Sequence, residues 1–556
     1  MDLPFGTEKE TEKLAQVRER EEEDVAQLLS SKYDLAYADL SLKEIDNGAL
    51  RVIPEAQARL AEAAAFEKVG HVLSLAINNP SNPALPALIE DLTSHGYSLH
   101  KFLVSKKSLE KAFERYSDLS LTVQSKVGIL SVSEQTLAKL TETDGIRAAL
   151  KSELDAAVEL KSLDRVSHIF ELILAGAFVL RASDIHIEPR EEKTLLRMRI
   201  DGLLSDIYLF EPAVYHQINA RLKLLSGTKL NVVDRPQDGR FTIAKGKSPI
   251  EVRVSFIPGN YGESIVMRLL DPEATKVSYK DLGIPEKLLA RLEVEIRRPN
   301  GMLLTTGPTG SGKTTTLYSF LREIHSPEIK VITIEDPIEY HLDGIVQTQV
   351  SGERYTFAEG LRSIVRQDPD IIMVGEIRDS ETANIAIQAA LTGHFVFSTL
   401  HTNNAAGTFP RLVDLGADPK SFGSAVSVSM AQRLVRKLDP DKKKERPLTD
   451  AEKAMIAKAF ESLTDKSLIP AKIETVWEPA PADDEETGYK GRVGLYEAIF
   501  MDDELSSFLR DNPPENEIAR VAAKQGYPTM AQDGLIKALT GVTSLSELAG
   551  TVDLPR

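Results

Sequence analysis

One stretch of this sequence combines the residue types that bind a nucleoside triphosphate. It follows the apolar segment Met302–Thr306 and reads Gly307, Pro308, Thr309, Gly310, Ser311, Gly312, Lys313, Thr314, Thr315. Glycines allow backbone conformations in which several amides point at phosphate oxygens. The ammonium group of Lys313 can neutralise the β- and γ-phosphates, and the hydroxyl of Thr314 can ligate Mg²⁺. Because a helical pattern follows, the phosphates would lie at a helix N-terminus. The motif predicts a P-loop that binds ATP.

Hydrolysis also needs a carboxylate that positions or deprotonates water. Two acidic clusters follow the P-loop, each at the end of a strand-like segment. The first contains Glu335, Asp336 and Glu339, and the second places Glu376 after the apolar segment Ile371–Val374. Ligands gather at the carboxyl ends of strands in open α/β sheets. The pattern predicts acids beside the phosphates, although any one acid by itself could be an exposed loop residue or a helix cap.

Two histidines bracket another apolar segment, Phe395–Thr399. His394 precedes this segment and His401 follows it. A polar strand end beside the γ-phosphate could sense hydrolysis, and hydrogen-bonded structural histidines are the alternative interpretation. The spacing between the two histidines matches no common zinc pattern, so we expect no metal there.

The chain is expected to form several domains, because its 556 residues are too many for a single core. Strand patterns and the hairpin turn Asp201-Gly202 predict a strand-rich α+β domain, and alternating strands and helices later in the chain predict a mainly parallel sheet. The segments are a charged arm at 1–32, a small α/β domain at 33–120, a linker at 121–150, the α+β domain at 151–280, and an α/β P-loop domain at 281–556 that becomes helical after about residue 405.

The composition excludes several functions. The net charge of −17 argues against a general binder of nucleic acid or anionic membranes. The absence of cysteine rules out disulfides, thiolate catalysis and cysteine-ligated metal. No signal peptide is recognisable, and no apolar run reaches the roughly 18 residues of a membrane-spanning helix. We therefore expect a soluble, cytoplasmic protein.

Several stretches resemble the secretion ATPase superfamily, which powers type IV pili and type II secretion. GPTGSGKTTTLYSF, ITIEDPIEY, RQDPDIIMVGEIRD and TGHFVFSTLHTNNA resemble its Walker A motif, Asp box, Walker B motif and His box. ASDIHIEP, RIDG, PQDGR, RVS and GESIVMRLL resemble the PAS-like domain that precedes its RecA-like core. YADLSLKEIDNGALRVIPEAQARL resembles the extra N-terminal domain of assembly and type II secretion members. The resemblance covers about residues 33–550.

The resemblance implies roles for the residues around the nucleotide. Lys313 and Thr314 would hold phosphate and Mg²⁺, and Lys313 would also act in catalysis. Glu339, the last acid of the Asp box, is the first candidate for general base. Glu376 would act at Mg²⁺ through water and is the second candidate for the base.

The resemblance also implies residues that connect the site to other parts of the assembly. His394 and His401 would link the nucleotide state to subunit contacts. Arg240, Arg253 and Arg268 of the PAS-like domain are candidates to reach the phosphates, including across a subunit boundary. Surface salt bridges are the alternative for each arginine.

The family implies a homohexameric ring that turns an inner-membrane platform protein and adds pilin subunits to a filament. We therefore expect a Mg²⁺-dependent ATPase motor for type IV pilus assembly or related type II secretion, held at the cytoplasmic membrane only through its partner. A pilus retraction motor is disfavoured by the N-terminal domain. A nucleic-acid translocase is disfavoured by the acidic composition. A nucleotide-regulated scaffold without turnover is disfavoured by Glu339 and Glu376.

One region departs from the family pattern. Many assembly members carry two CxxC pairs that bind zinc, the first of them directly after QRLVRKL. Here Leu438 is followed by Asp439-Pro440-Asp441-Lys442, and the place of the second pair holds Pro481 and Asp484. We expect no zinc site, and we interpret residues 483–486 as a solvated acidic loop, with a hard-cation site as the alternative. The N-terminal domain also lacks the cyclic di-GMP motif of some relatives, so that ligand is not predicted.

Overall fold

A computed structural model of the chain describes residues 22–555 apart from 42, 44, 51, 95, 121–128, 142–144, 161–164, 246–247, 272–276, 472 and 482–486. The first 21 residues of the predicted arm and the acids at 483–486 lie outside the described residues. The chain divides into two compact units: Met1–Ser131 with Glu159–Ile169, and Val132–Val158 with Phe170–Arg556.

The first unit contains a small sheet covered by helices. Its strands follow the order β1-β4-β3-β2, in which β1 and β3 run parallel to β4 and β2 runs antiparallel to β3. The apolar strand β3 is buried along almost its whole length. The elements are α1 (residues 22–32), β1 (Ala36–Tyr37), α2 (Asn47–Leu50), α3 (Glu55–Ala61), β2 (Ala63–Val69), β3 (Val72–Ile77), α4 (Leu85–Ser94), β4 (Ser98–Leu103), α5 (Lys106–Ser120) and β5 (Ile129–Ser131).

The second unit begins with the strand-rich α+β part that the sequence predicts. Six of its strands are antiparallel neighbours in the order β9-β10-β11-β6-β7-β8. The predicted hairpin turn at Asp201-Gly202 joins β7 to β8, and both of its residues have positive φ. The elements that lie wholly or mostly in this unit are α6 (Glu134–Thr141), α7 (Ile146–Glu159), α8 (Arg165–Val179), β6 (Ala182–Pro189), β7 (Thr194–Ile200), β8 (Leu203–Phe210), α9 (Pro212–Ser226), β9 (Gln237–Lys245), β10 (Ser248–Ile257) and β11 (Ser264–Leu270).

The α/β part that follows contains the predicted parallel sheet. The strand order is β14-β13-β15-β16-β12-β17-β20, and all pairs are parallel except β17 with β20. Strands β12, β13, β15 and β16 are fully buried because helices cover both faces. The elements up to β16 are α10 (Glu286–Glu295), β12 (Gly301–Thr306), α11 (Lys313–Ile324), β13 (Val331–Glu335), β14 (Val346–Gln349), α12 (Phe357–Val365), β15 (Ile371–Val374), α13 (Ser380–Leu391) and β16 (Phe395–Leu400).

The C-terminal region contains the predicted helices and four strands that the sequence pattern did not predict. In β17 the apolar residues Val428, Ala431, Val435 and Leu438 recur every three or four positions, which is a helical spacing. Pairing with β12 and β20 outweighs this local preference. The elements are α14 (Thr408–Asp414), α15 (Phe422–Ala425), β17 (Val428–Leu438), β18 (Lys443–Pro447), α16 (Asp450–Glu461), β19 (Thr475–Pro479), β20 (Tyr489–Phe500), α17 (Asp503–Leu509), α18 (Glu515–Ala522), α19 (Met530–Leu539) and α20 (Leu545–Ala549).

Short 3₁₀ helices complete the second unit, at Tyr279–Leu282, Gly352–Arg354, Pro419–Ser421, Lys466–Leu468 and Ala523–Gln525. Among the described residues, no helix combines the length and the apolar character needed to cross a membrane.

Candidate active site

The predicted phosphate-binding loop lies between the carboxyl end of β12 and the start of α11. Gly307, Gly310 and Gly312 have φ angles of 146°, 79° and 89°, which residues with a side chain rarely adopt. A Cβ atom at Gly307 would also lie 2.4 Å from the backbone oxygen of Gln432. The loop therefore needs glycine for its conformation and, at Gly307, for the close approach of a neighbouring strand.

Two side chains of the loop can donate hydrogen bonds to an anion. Lys313 Nζ donates to the carbonyl oxygens of Gly307 at 2.7 Å and Pro308 at 3.1 Å. Burial lowers the pKa of Lys313, and the nearby charge of Glu376 opposes this shift. Ser311 is buried, and its Oγ has no hydrogen-bond partner in the described part of the chain. This donor set fits a phosphate group.

Glu376 lies just beyond β15, at the same edge of the sheet as the loop. Its side chain is 14% exposed, and its Oε1 accepts a hydrogen bond from Arg378 Nη2. Its Oε2 lies 3.5 Å from Nε2 of His401, which follows the neighbouring strand β16. Arg378 Nη1 also lies 3.8 Å from a carboxylate oxygen of Asp336. Acids and bases from three strand ends thus form one polar network.

The structure gives the predicted acids Glu335 and Glu339 different surroundings. Glu335 is buried, and its carboxylate accepts hydrogen bonds from the hydroxyls of Tyr318 and Thr333 and from the amide of Gln347. The oxygens of Glu335 are therefore occupied within the fold. Glu339 is half-buried beyond the cis peptide bond before Pro337. Burial lowers the pKa of Arg268, but the hydrogen bond and charge of Asp184, together with a smaller contribution from the charge of Glu339, raise it overall.

The three predicted arginines are direct cross-strand partners on β9, β10 and β11. Such partners project from the same face of an antiparallel sheet. Arg253 Nη2 donates to the carbonyl oxygen of Ile338 at 2.6 Å, which connects the α+β part to the segment that carries Glu339. Arg268 Nε donates to Asp184 on β6 at 3.0 Å. Arg240 is exposed and makes no hydrogen bond or ion pair with the described residues.

The two predicted histidines lie at opposite ends of β16. His401 is at the carboxyl end beside Glu376, whereas His394 is at the amino end, where its Nδ1 lies 3.1 Å from the carbonyl oxygen of Ala389. Six residues of strand separate them, or about 20 Å at the usual rise of a strand. The structure brings His401, but not His394, to the edge that carries the loop.

The residues that could hold Mg²⁺ are Thr314, in the first turn of α11, and Glu376. Both offer oxygen ligands, which Mg²⁺ prefers, and Mg²⁺ at nucleotide sites usually takes few protein ligands in addition to water and substrate phosphates. Among the described residues, no group of three or more His, Asp or Glu is arranged to hold a metal ion. The donor set therefore fits Mg²⁺ held jointly with a nucleotide.

Sequence reasoning missed two residues of this site. Arg378, which contacts Glu376, stands two positions after it in the stretch RQDPDIIMVGEIRD, so this motif contained a signal. Gln432 donates from Nε2 to the carbonyl oxygen of Ser311 at 2.7 Å. It is 121 residues away in the chain, and no local pattern marks it.

A family model described as "Type II/IV secretion system protein" matches residues 159–550, more than half of the chain, and an MshEN domain model matches residues 33–123. The chain belongs to the type II/IV secretion system protein family. This membership and the P-loop α/β fold confirm the family and the fold class expected from the sequence.

The relatives within this family cover most of the chain. A type II secretion system protein E from Xanthomonas campestris pv. campestris is 42% identical over 416 residues, 74% of this chain and 72% of the relative. The type IV pilus assembly ATPase PilB of Myxococcus xanthus is 36% identical over 536 residues, 95% of this chain and 91% of the relative. Among solved structures, the Legionella pneumophila ATPase DotB matches with a TM-score of 0.50 and 25% identity, covering 68% of this chain and 94% of that chain.

Proposed function

We propose that this protein is an ATPase motor for type IV pilus assembly or the related type II secretion. The observation that carries the proposal is the P-loop with Lys313 at the carboxyl end of β12, at the same edge of the parallel sheet as Glu376 beyond β15. A cation for the phosphates and a carboxylate that positions water are two of the groups that nucleotide hydrolysis uses. The relatives named as type II secretion protein E and pilus assembly ATPase support the assignment to this kind of motor.

Within this proposal, we assign the residue roles from the family resemblance, supported by the positions of the side chains. The loop amides and Lys313 bind the β- and γ-phosphates. Thr314, and Glu376 through water, would hold Mg²⁺, which would neutralise phosphate charge. Glu339 accepts the proton of the attacking water, and Glu376 is the second candidate for this base. Arginines on the face of the α+β sheet stabilise the charge that develops on the phosphates.

Movement would arise from the contacts between the two parts of the second unit. Arg253 already donates a hydrogen bond to the segment that carries Glu339. Phosphates bound nearby would attract the arginines and strengthen the contact between the two parts, and release of the phosphates would weaken this contact. A ring of six copies would convert this change into rigid-body rotation. His394 and His401 would transmit the nucleotide state to subunit contacts. The ring would act on an inner-membrane platform protein at the cytoplasmic face of the membrane.

A steady-state ATPase assay on the purified chain with Mg²⁺ tests the proposal. We expect hydrolysis by the wild type and at least a 100-fold loss in Lys313→Ala. The matched control is Lys330→Ala, because Lys330 Nζ also donates to a backbone carbonyl, that of Gln367, but at the amino end of β13. A wild type that neither binds nor hydrolyses ATP would refute the proposal, as would equal activity in the Lys313 and Lys330 variants.

Two further measurements address the assembly and its direction. Sizing with and without nucleotide should reveal a hexamer. Deletion of the gene should abolish surface filaments or secretion if the motor assembles them, whereas an excess of filaments would indicate a retraction motor. A salt-dependent DNA-binding assay should detect no binding, and clear binding would favour a nucleic-acid translocase.

A further inference from the structure

We infer that Gln432 is a positioning residue of the nucleotide site. Its side-chain amide holds the Ser311–Gly312 peptide in the orientation that directs the N–H of Gly312 at a bound phosphate. This inference rests on the proposed function, because it assigns a role within the same P-loop.

Gln432 reaches three positions of the loop from a neighbouring strand. It lies on β17 and is 1% exposed, and its Nε2 donates to the carbonyl oxygen of Ser311 at 2.7 Å. Its backbone oxygen lies 2.4 Å from the position that a Cβ at Gly307 would take. Its Nε2 lies 3.1 Å from the corresponding position at Gly312. Gln432 therefore lies directly against the loop at Gly307, Ser311 and Gly312.

The contact determines which way a peptide of the loop faces. In a trans peptide the C=O and N–H groups point in opposite directions. Because Gln432 holds the Ser311 carbonyl on the side of β17, the N–H of Gly312 points away from β17, the direction in which we place the bound phosphate. If this peptide rotated, it would turn a carbonyl oxygen toward the phosphate, which would repel it instead of donating a hydrogen bond.

The polarity of the position argues for a role in the site and against a role in packing alone. Residues Val428–Gln432 of β17 are all buried, and a buried amide costs free energy unless its hydrogen-bonding groups are paired. Gln432 Oε1 has no hydrogen-bond partner among the described residues. An apolar side chain would fill this space without an unpaired oxygen, so the useful property of Gln432 is its donor.

The neighbouring strand keeps Gln432 in place. Tyr496 on β20 is its direct cross-strand partner, and the backbone N of Tyr496 donates to Asp533 Oδ2 at 2.9 Å. The buried hydroxyl of Tyr496 also interacts with the side chain of Thr316 on α11, the helix that follows the loop. The pair Gln432–Tyr496 thus supports both the loop and its helix from the same side.

The test compares Gln432→Met with Gln532→Met. Gln532 is a matched control because it is also buried and its Nε2 donates to a backbone carbonyl, that of Ala459 at 2.8 Å, within the C-terminal helices. Both variants lose a buried donor, but Gln532→Met should lose more thermal stability, because Gln532 Nε2 also donates to Ser462 Oγ and its Oε1 accepts from the backbone N of Thr529. A contact to the phosphates that is present both before and during reaction changes KM more than kcat. We therefore expect an approximately tenfold higher KM for ATP in Gln432→Met only, with a matching rise in the Kd for a fluorescent ADP analogue.

A second variant, Gln432→Glu, provides a readout that a packing role would not change. An ionised carboxylate cannot donate to the Ser311 carbonyl, whereas a protonated one can. The KM for ATP of this variant should therefore fall toward the wild-type value as the pH is lowered from 8 to about 5, and this recovery should be absent in Gln432→Met, which has no titratable group at this position.

The outcomes separate this inference from the proposed function. Unchanged KM and Kd in a folded Gln432→Met variant would overturn the inference while leaving the ATPase assignment intact. A wild type without nucleotide binding would instead overturn the proposed function. If Gln432→Met fails to fold, the pH dependence of Gln432→Glu decides, and a pH-independent KM overturns the inference.

Discussion

Oε2 of Glu376 lies 3.5 Å from Nε2 of His401, across the neighbouring parallel strands β15 and β16. His401 is 52% exposed, whereas Glu376 is mostly covered. The pair therefore connects a carboxylate inside the candidate site with a side chain that remains accessible from outside. This geometry suits a residue that reports the state of the nucleotide to a neighbouring molecule.

Replacement of His401 by Gln should lower kcat for ATP about tenfold with little change in thermal stability, because the contact orients Glu376 and lies near the surface. Steady-state kinetics and thermal unfolding test this. His71→Gln, at an exposed histidine in the turn between β2 and β3, is the control. We expect a smaller effect on kcat from His394→Gln, because His394 lies at the far end of β16. Equal losses of kcat in the His401 and His394 variants would contradict this assignment.

The two acids of the first cluster should respond differently to the same substitution. Glu339→Gln should retain the fold and lose about 100-fold or more in kcat, as expected when a general base is removed. Glu335→Gln should instead destabilise the fold by about 1–3 kcal/mol, because it disturbs a buried acceptor of three hydrogen bonds. Kinetics and urea unfolding of both variants distinguish the two roles. A stable, fully active Glu339→Gln variant would remove Glu339 from the mechanism.

A buried ion pair in the α+β part should be important for stability. Lys223 Nζ lies 2.6 Å from Glu263 Oε2, and both side chains are at most 3% exposed. Glu263→Gln leaves the buried ammonium group without its counter-charge, which typically costs about 3–5 kcal/mol. Urea unfolding measures this loss. Glu211→Gln, which removes one partner of the exposed pair with Lys193, should change stability by less than about 1 kcal/mol. Similar losses in both variants would contradict the prediction.

The C-terminal region should lose stability in acid, because one of its ion-pair groups depends on an ionised carboxylate. Arg446 bridges Glu452 and Glu478, and its hydrogen bond lowers the pKa of Glu452 from 4.5 to about 2. Because this pKa is lower in the folded state, the stabilisation is present above about pH 4.5 and is lost as the pH falls toward 2. Wild type should exceed Arg446→Met in unfolding free energy by about 1–2 kcal/mol at pH 7, allowing for partial exposure.

Unfolding of wild type and Arg446→Met between pH 7 and pH 2 measures this difference. The two curves should converge in acid. Arg59→Met serves as the control, because the pair of Arg59 with Glu55 is exposed on both sides. A difference between wild type and Arg446→Met that stays constant down to pH 2 would show that Glu452 is not responsible.

Much of this site could be predicted from the sequence, because the relevant signals are local. A GxxxxGKT pattern determines a loop whose glycines adopt unusual φ angles, and the structure has these angles at Gly307, Gly310 and Gly312. Short apolar runs predicted β12, β13, β15 and β16, because strands buried on both faces must be apolar along their whole length. The strand ends then indicated where Glu376 and His401 would lie.

Tertiary structure alone decided which polar groups meet. Glu335 and Glu339 are only four residues apart, yet one is enclosed by three donors while the other acts on Arg268, and spacing did not distinguish them. Strand β17 has a helical pattern, but sheet pairing makes it a strand and brings Gln432 beneath the loop. The physical reason is the distance along the chain over which each effect acts. Backbone preferences depend on residues a few positions apart. The partner of a buried polar group depends on sheet order and on packing between residues more than a hundred positions apart.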